Sequence, residues 1–162
     1  MVSVDVGRYH RRMRKTPVHV SIPTALLLMA SVSARAEDAR CQPSIEAGWI
    51  RLGPSAMPMM AGFAKAINAC KAPVSVVAVS SPAFAEVSMH ETLIEDDVSR
   101  MREVAALRLG AGETAVLAPG AMHLMLMQPT VPLKAGDAVV LKWKLQDGRE
   151  VLSEFVVRRS AP

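Results

Sequence analysis

From Glu46 onward the chain is a succession of short apolar runs broken by glycine, proline and aspartate, and no segment after residue 40 carries a long apolar stripe at helical spacing. That pattern leaves little room for a helical fold and reads as strands. Candidate strands are 48–52, 61–68, 74–80, 86–93, 100–104, 114–118, 123–127, 138–145 and 150–157. Turn signals fall between them at Gly110-Ala111-Gly112, Pro119-Gly120, Gly136-Asp137 and Asp147-Gly148. Leu141, Trp143 and Leu145 alternate with Lys142 and Lys144, the period-two pattern of a half-buried strand. Asp147-Gly148 then predicts a hairpin into the final strand. Many short strands at this spacing predict an all-β sandwich or barrel. With 162 residues and no internal repeat or linker, the chain is expected to hold one domain with its own core.

The N-terminus reads differently. Arg11-Arg12-Met13-Arg14-Lys15 precedes an uncharged stretch, Thr16 to Ala34, which is followed by Ala34-Arg35-Ala36. A basic segment, an apolar segment and an A-x-A site are the layout of a secretory signal peptide. The expected organisation is therefore a signal peptide over residues 1–36 and a folded domain over 37–162, exported to a periplasm. An uncleaved membrane anchor is the alternative, though Ser21, Pro23, Thr24, Ser31 and Ser33 dilute the apolarity.

Charge follows the same division. Of 19 Lys+Arg, six precede residue 37, as does only one of 15 Asp+Glu, which leaves residues 37–162 with 13 basic and 14 acidic side chains. The basicity that gives a net charge of +4 belongs to the N-terminus alone. The domain has no basic patch with which to neutralise phosphates, so no nucleic-acid partner is expected.

Cys41 and Cys70 are the two cysteines of the chain. In an oxidising compartment such a pair reads most simply as one structural disulfide, and the C-x-x-C spacing of a redox-active pair is missing.

Residues 37–162 contain two histidines, His90 and His123, and eight methionines: Met57, Met59, Met60, Met89, Met101, Met122, Met125 and Met127. One reading makes the methionines flexible core filler in a chain with only 4% aromatic residues. The spacing favours another, because His90, Met101, His123 and Met125 form H-x10-M-x21-H-x-M. His123, Met125 and Met127 alternate along one predicted strand and leave the same face, while Leu124 and Leu126 leave the other. Two imidazoles and two thioethers form a soft, neutral donor set that suits Cu(I). Zinc, which takes Cys, His or carboxylate, fits poorly, and a blue-copper centre needs a thiolate that is absent here. Only the histidines must be deprotonated, so affinity is expected to weaken as pH falls through the ordinary imidazole range near ~6.5.

The remaining residues are expected to play smaller parts. Met57, Met59 and Met60 could shield or hand over a metal, or fill a loop. Met89 and Met122 precede the histidines and are expected to face the core. Trp49 and Trp143 are expected in the core. Glu95-Asp96-Asp97 reads as a solvated turn, without the spaced oxygen ligands of a calcium loop. Nothing orders the Ser, His and Asp residues as a nucleophile elbow or triad, so no enzyme is expected.

At His90, Met101, His123 and Met125 the sequence resembles the periplasmic copper chaperone family PCuAC, the copper(A) chaperones. The resemblance extends over about residues 46–158 and includes Met60-Ala61-Gly62-Phe63 with Asn68, Ser88-Met89-His90-Glu91-Thr92, and Leu117-Ala118-Pro119-Gly120 before His123-Leu124-Met125-Leu126. It implies a cupredoxin-like β-sandwich of Greek-key type that binds one Cu(I) per monomer at those four residues. It further implies delivery of that copper to the dinuclear centre of cytochrome c oxidase subunit II, alongside Sco-type thiol proteins. The mature form is expected to be a monomer with no membrane partner. Phe63 stands where the family usually has Tyr, Cys41 and Cys70 are outside its general signature, and the chain ends at Ser160-Ala161-Pro162 without a His/Met-rich tail. The same ligands would serve a copper-buffering protein without a client, and an exported interaction module remains the reading in which the methionines only pack.

Overall fold

The computed structural model describes residues 41–53 and 58–162. The expected signal peptide and its cleavage site lie outside the described residues, as does Met57. Ten strands are found among the described residues: β1 (Ser44–Arg51), β2 (Met59–Ile67), β3 (Val74–Ser80), β4 (Phe84–Glu95), β5 (Val98–Glu103), β6 (Leu107–Leu109), β7 (Thr114–Leu117), β8 (His123–Pro129), β9 (Ala138–Leu145) and β10 (Glu150–Arg158). Every strand that the sequence predicts is present. β6 was not expected, because three residues, Leu107–Leu109, are too short to show a period. β1 begins earlier than expected because a bulge between Glu46 and Trp49, with Ala47 at φ 52°, breaks the alternation.

The strands follow one hydrogen-bonded path, β5-β4-β8-β2-β1-β10-β9-β3-β6, with β7 paired to β2 beyond the end of β8. The path folds over on itself. Ile50, Met89, Leu124 and Leu126 from one half meet Val76, Leu141, Trp143 and Phe155 from the other in a single buried cluster. Pairing is antiparallel throughout except at the joint between the halves, where β1 runs parallel to β10. At that joint the ring of Phe155 lies so near Gly48 that a Cβ there would sit 2.6 Å from it. Only glycine fits.

β9 shows the expected alternation, with Val139, Leu141, Trp143 and Leu145 inward and the residues between them exposed. Trp143 is fully buried, and its indole N–H donates to Ser153 Oγ at 2.8 Å, so burial leaves no polar atom unpaired. The Asp147-Gly148 turn joins β9 to β10, with Gly148 at φ 88°. Glu95-Asp96-Asp97 closes the β4–β5 hairpin, with both aspartates at positive φ as a primed two-residue turn requires.

Cys41 and Cys70 form a disulfide that ties the segment before β1 to the segment after β2. Next to it, buried Asn68 donates to the carbonyls of Ala72, Leu109 and Gly110 and accepts the N–H of Cys70. One amide thus fastens the ends of β2 and β6.

Candidate metal centre

Side chains directly opposite each other across neighbouring strands share a face, and so do residues two apart in one strand. The pairing registers therefore decide which candidate residues meet. On β4, Ser88, His90 and Thr92 share a face; across β5, Glu103 stands opposite His90 and Met101 opposite Thr92. Across β8, His123 stands opposite His90, Met125 opposite Ser88 and Met127 opposite Glu86. All four candidate ligands thus come from three adjacent strands and lie on one face, the outer face of the sandwich. Residues of the opposite parity, Met89, Leu124 and Leu126, are in the core.

The two imidazoles are cross-strand neighbours with ring centroids 6.2 Å apart and planes 29° from parallel. An imidazole nitrogen bonds a first-row metal at about 2.0–2.1 Å, so rings at this separation can both reach an ion placed between them. His123 Nδ1 lies 2.9 Å from the carbonyl oxygen of Ala121. A carbonyl only accepts, so Nδ1 carries the proton, and in the neutral ring Nε2 is the nitrogen with the lone pair. The same carbonyl accepts the N–H of Thr92 at 3.2 Å, so the turn before β8 is fastened to β4 as well. His90 Nε2 is 3.0 Å from the hydroxyl of Ser88, which can donate or accept.

Exposure is graded across this face. His123 is 6% exposed, whereas Met101, on the edge strand β5, is 63% exposed. His90 and Met125 are half-buried. Behind His123, Phe63 is buried with its ring centroid 6.4 Å away, and Trp49 lies 4.5 Å from Phe63. The guanidinium of Arg51 caps these rings at 5.6 and 5.2 Å. Trp49 is therefore buried on the site's side of the sheet, not in the central cluster that holds Trp143. Both tryptophans are buried, as expected, but in separate clusters. The reason is the β1 bulge, which fixes the parity of Trp49.

The methionines divide in the same way. Met60, Met89 and Met122 pack on the core, while Met59, Met101, Met125 and Met127 belong to the outer face. Sequence reasoning did not find Ser88, Glu103 or the Ala121 carbonyl as neighbours of the imidazoles. Ser88 lay within reach as the i−2 residue of His90 on a strand. The other two depend on long-range register. Among the described residues no group of three or more His, Cys, Asp or Glu is placed to hold a metal. The donor set on offer is soft, two imidazoles with thioethers, which fits Cu(I) and not a hard cation.

Comparison with known proteins places this architecture. The copper-bound PCuAC domain from PmoF2 superposes with a TM-score of 0.60 at 20% identity, covering 72% of this chain and 92% of that one. The Cu(I) form of DR1885 from Deinococcus radiodurans gives 0.60 at 23% identity, covering 78% and 86%. These likenesses establish the expected cupredoxin-like β fold. "Putative lipoprotein Lxx21020" from Leifsonia xyli subsp. xyli is 31% identical over 105 residues, which are 64% of this chain and 62% of that protein. The aligned part thus spans less than two thirds of that relative. The family described as "Putative lipoprotein LpqE-like" matches residues 44–157, from the first residue of β1 to the penultimate residue of β10. The sandwich that carries the candidate centre is thus the family's own domain, and the chain belongs to the LpqE-like family.

Proposed function

We propose that this protein is an exported copper carrier that binds one Cu(I) at His90, Met101, His123 and Met125 and passes it to a client. The observation that carries this reading is the convergence of those four side chains from β5, β4 and β8 on one face, with the His123 tautomer set so that Nε2 is free. The copper-bound state of PCuAC domains with the same fold supports it. Membership of a family described as lipoproteins supports export.

Copper is cargo here. The buried histidine supplies a fixed donor, and the exposed Met101 is the ligand an incoming partner meets first, so exchange starts at Met101 and ends at His123. A neutral donor set holds the ion without a compensating charge to strip away. The proposed client is the dinuclear copper centre of cytochrome c oxidase subunit II, with Sco-type proteins as co-workers in its assembly.

The test is an anaerobic Cu(I) titration against a competing chelator. One tight equivalent, lost when His90 and His123 are both replaced by Ala, is expected; unchanged binding in that variant would overturn the reading. For the client, a deletion strain is expected to lose oxidase activity under copper limitation. A defect confined to copper excess would replace delivery with buffering.

A further inference from the structure

The outer face continues beyond the proposed ligands. Met59 on β2 stands directly opposite Met127 on β8, and Ala61 stands opposite Met125. Three corners of this cross-strand cell are therefore methionine and the fourth is a single methyl group. That leaves room over Ala61 for the longer thioethers to lean together. Met59, Met125 and Met127 are all half-buried, yet they are absent from the core against which Met60 and Met122 pack. Core packing thus explains the second pair and not the first three.

The charged surroundings of the cell suit a cation. Glu86 stands opposite Met127 on β4 and sets a negative charge at that end. On the other side, Arg51 stands opposite Ala61, its guanidinium turned over the Trp49 and Phe63 rings. A cation on this face is repelled from the β1 side, and carboxylates stand at both ends of it, Glu103 opposite His90 and Glu86 opposite Met127.

We infer that Met59 and Met127, with Met125 as the ligand common to both, form a second and weaker station for Cu(I) beside the proposed site. This inference rests on the proposed carrier function for its meaning, but thioether binding is measured separately. A cluster of thioethers selects a soft monovalent ion, and it gives the cargo a place to sit while the imidazoles let go. No bond is made or broken other than metal–ligand exchange, and the copper stays Cu(I) throughout.

The experiment uses protein carrying 13C-methyl methionine, titrated anaerobically with Cu(I) and followed by the methyl resonances. The first equivalent is expected to move Met101 and Met125, and the second to move Met59 and Met127. A Met59→Leu, Met127→Leu variant keeps similar volume and is expected to bind one equivalent of Cu(I) instead of two while keeping the Met101 and Met125 response. Its backbone amide spectrum shows that it folds. If Met101 and Met125 move while Met59 and Met127 stay fixed at excess metal, the station does not exist and the carrier reading stands. If Met59 and Met127 move while Met101 stays silent at every equivalent, the station stands and the four-ligand site fails. No movement at all overturns both.

Discussion

The backbone carbonyl of Ala121 fixes the ring of His123: it accepts the Nδ1 proton at 2.9 Å and, from the other side, the amide of Thr92. A turn residue with no functional side chain thus decides which nitrogen of a nearly buried histidine faces the rest of the candidate site. The expected state of the metal-free protein is the Nδ1–H tautomer at His123. Long-range 15N–1H correlation of the imidazoles reads this directly, and a dominant Nε2–H tautomer would contradict it.

Met101 is the outermost of the four proposed ligands, and its neighbours in β5 are held by the hairpin and by the Arg102–Glu91 and Arg100–Glu95 pairs. Met101→Leu should therefore cost less Cu(I) affinity than the loss of either histidine and speed release of the metal. Removing His123 should cost at least the roughly 10–100-fold associated with loss of an outer-shell partner at a metal site. Stopped-flow transfer to a chromophoric chelator separates the two: a Met101→Leu variant that releases copper no faster would show that the exposed thioether is not a ligand.

How far the sequence reveals such a site depends on whether the information is local. The His123–Met125–Met127 face was legible because alternation within a strand is a local property, and Leu124 and Leu126 do fill the core. The pairing of His90 with His123 was not, because register between β4 and β8 is set by tertiary packing across more than thirty residues of chain. The same limit hid the split between Met59 and Met60, adjacent residues on opposite faces of β2. The burial of Trp49 was legible, but not its place beside Phe63 outside the central cluster, because a bulge in β1 sets the face it takes.

The disulfide closes a loop over a sequence separation of 29. On the chain-entropy account such a cross-link is worth about 3.6 kcal/mol. A Cys41→Ser, Cys70→Ser variant should unfold at correspondingly lower denaturant, with Cu(I) affinity unchanged because neither sulfur is near the outer face. An equal midpoint would mean that the oxidised bond adds nothing.

Gly48 is predicted to be intolerant of any side chain. A methyl group there meets the Phe155 ring and the Glu154 carbonyl at 2.6 and 2.9 Å. Gly48→Ala should cost about 1–3 kcal/mol through overpacking of the β1–β10 joint, measured by chemical denaturation. A neutral result would require Phe155 to yield more easily than its full burial implies.

At the β9–β10 turn, hydrogen bonds from the Arg149 side chain and backbone hold the Asp147 carboxyl below its usual value of 3.8. A carboxylate with a lowered folded-state pKa adds stability above its ordinary pKa and loses it as pH falls through the lowered one. Asp147→Asn should therefore be destabilising at neutral pH by at most about 1 kcal/mol, as exposed pairs are. The gap from the parent protein should close in acid. A gap that persists in strong acid would assign the effect to the turn's geometry and not to charge.

The parallel seam between β1 and β10 has a consequence for how the molecule comes into being. Along the hydrogen-bonded path this seam is the joint between the half that bears the outer methionine face and the half that bears Trp143. Its two strands are the first and the last described in chain order, so a ribosome or translocation channel releases one long before the other. Until β10 arrives the hydrogen-bonded path is broken at this seam, between the half that bears Leu124 and Leu126 and the half that bears Trp143. Contacts between such distant segments make folding slow. The sandwich is therefore joined across its seam only when its last strand has been made, long after the three strands that carry the proposed ligands.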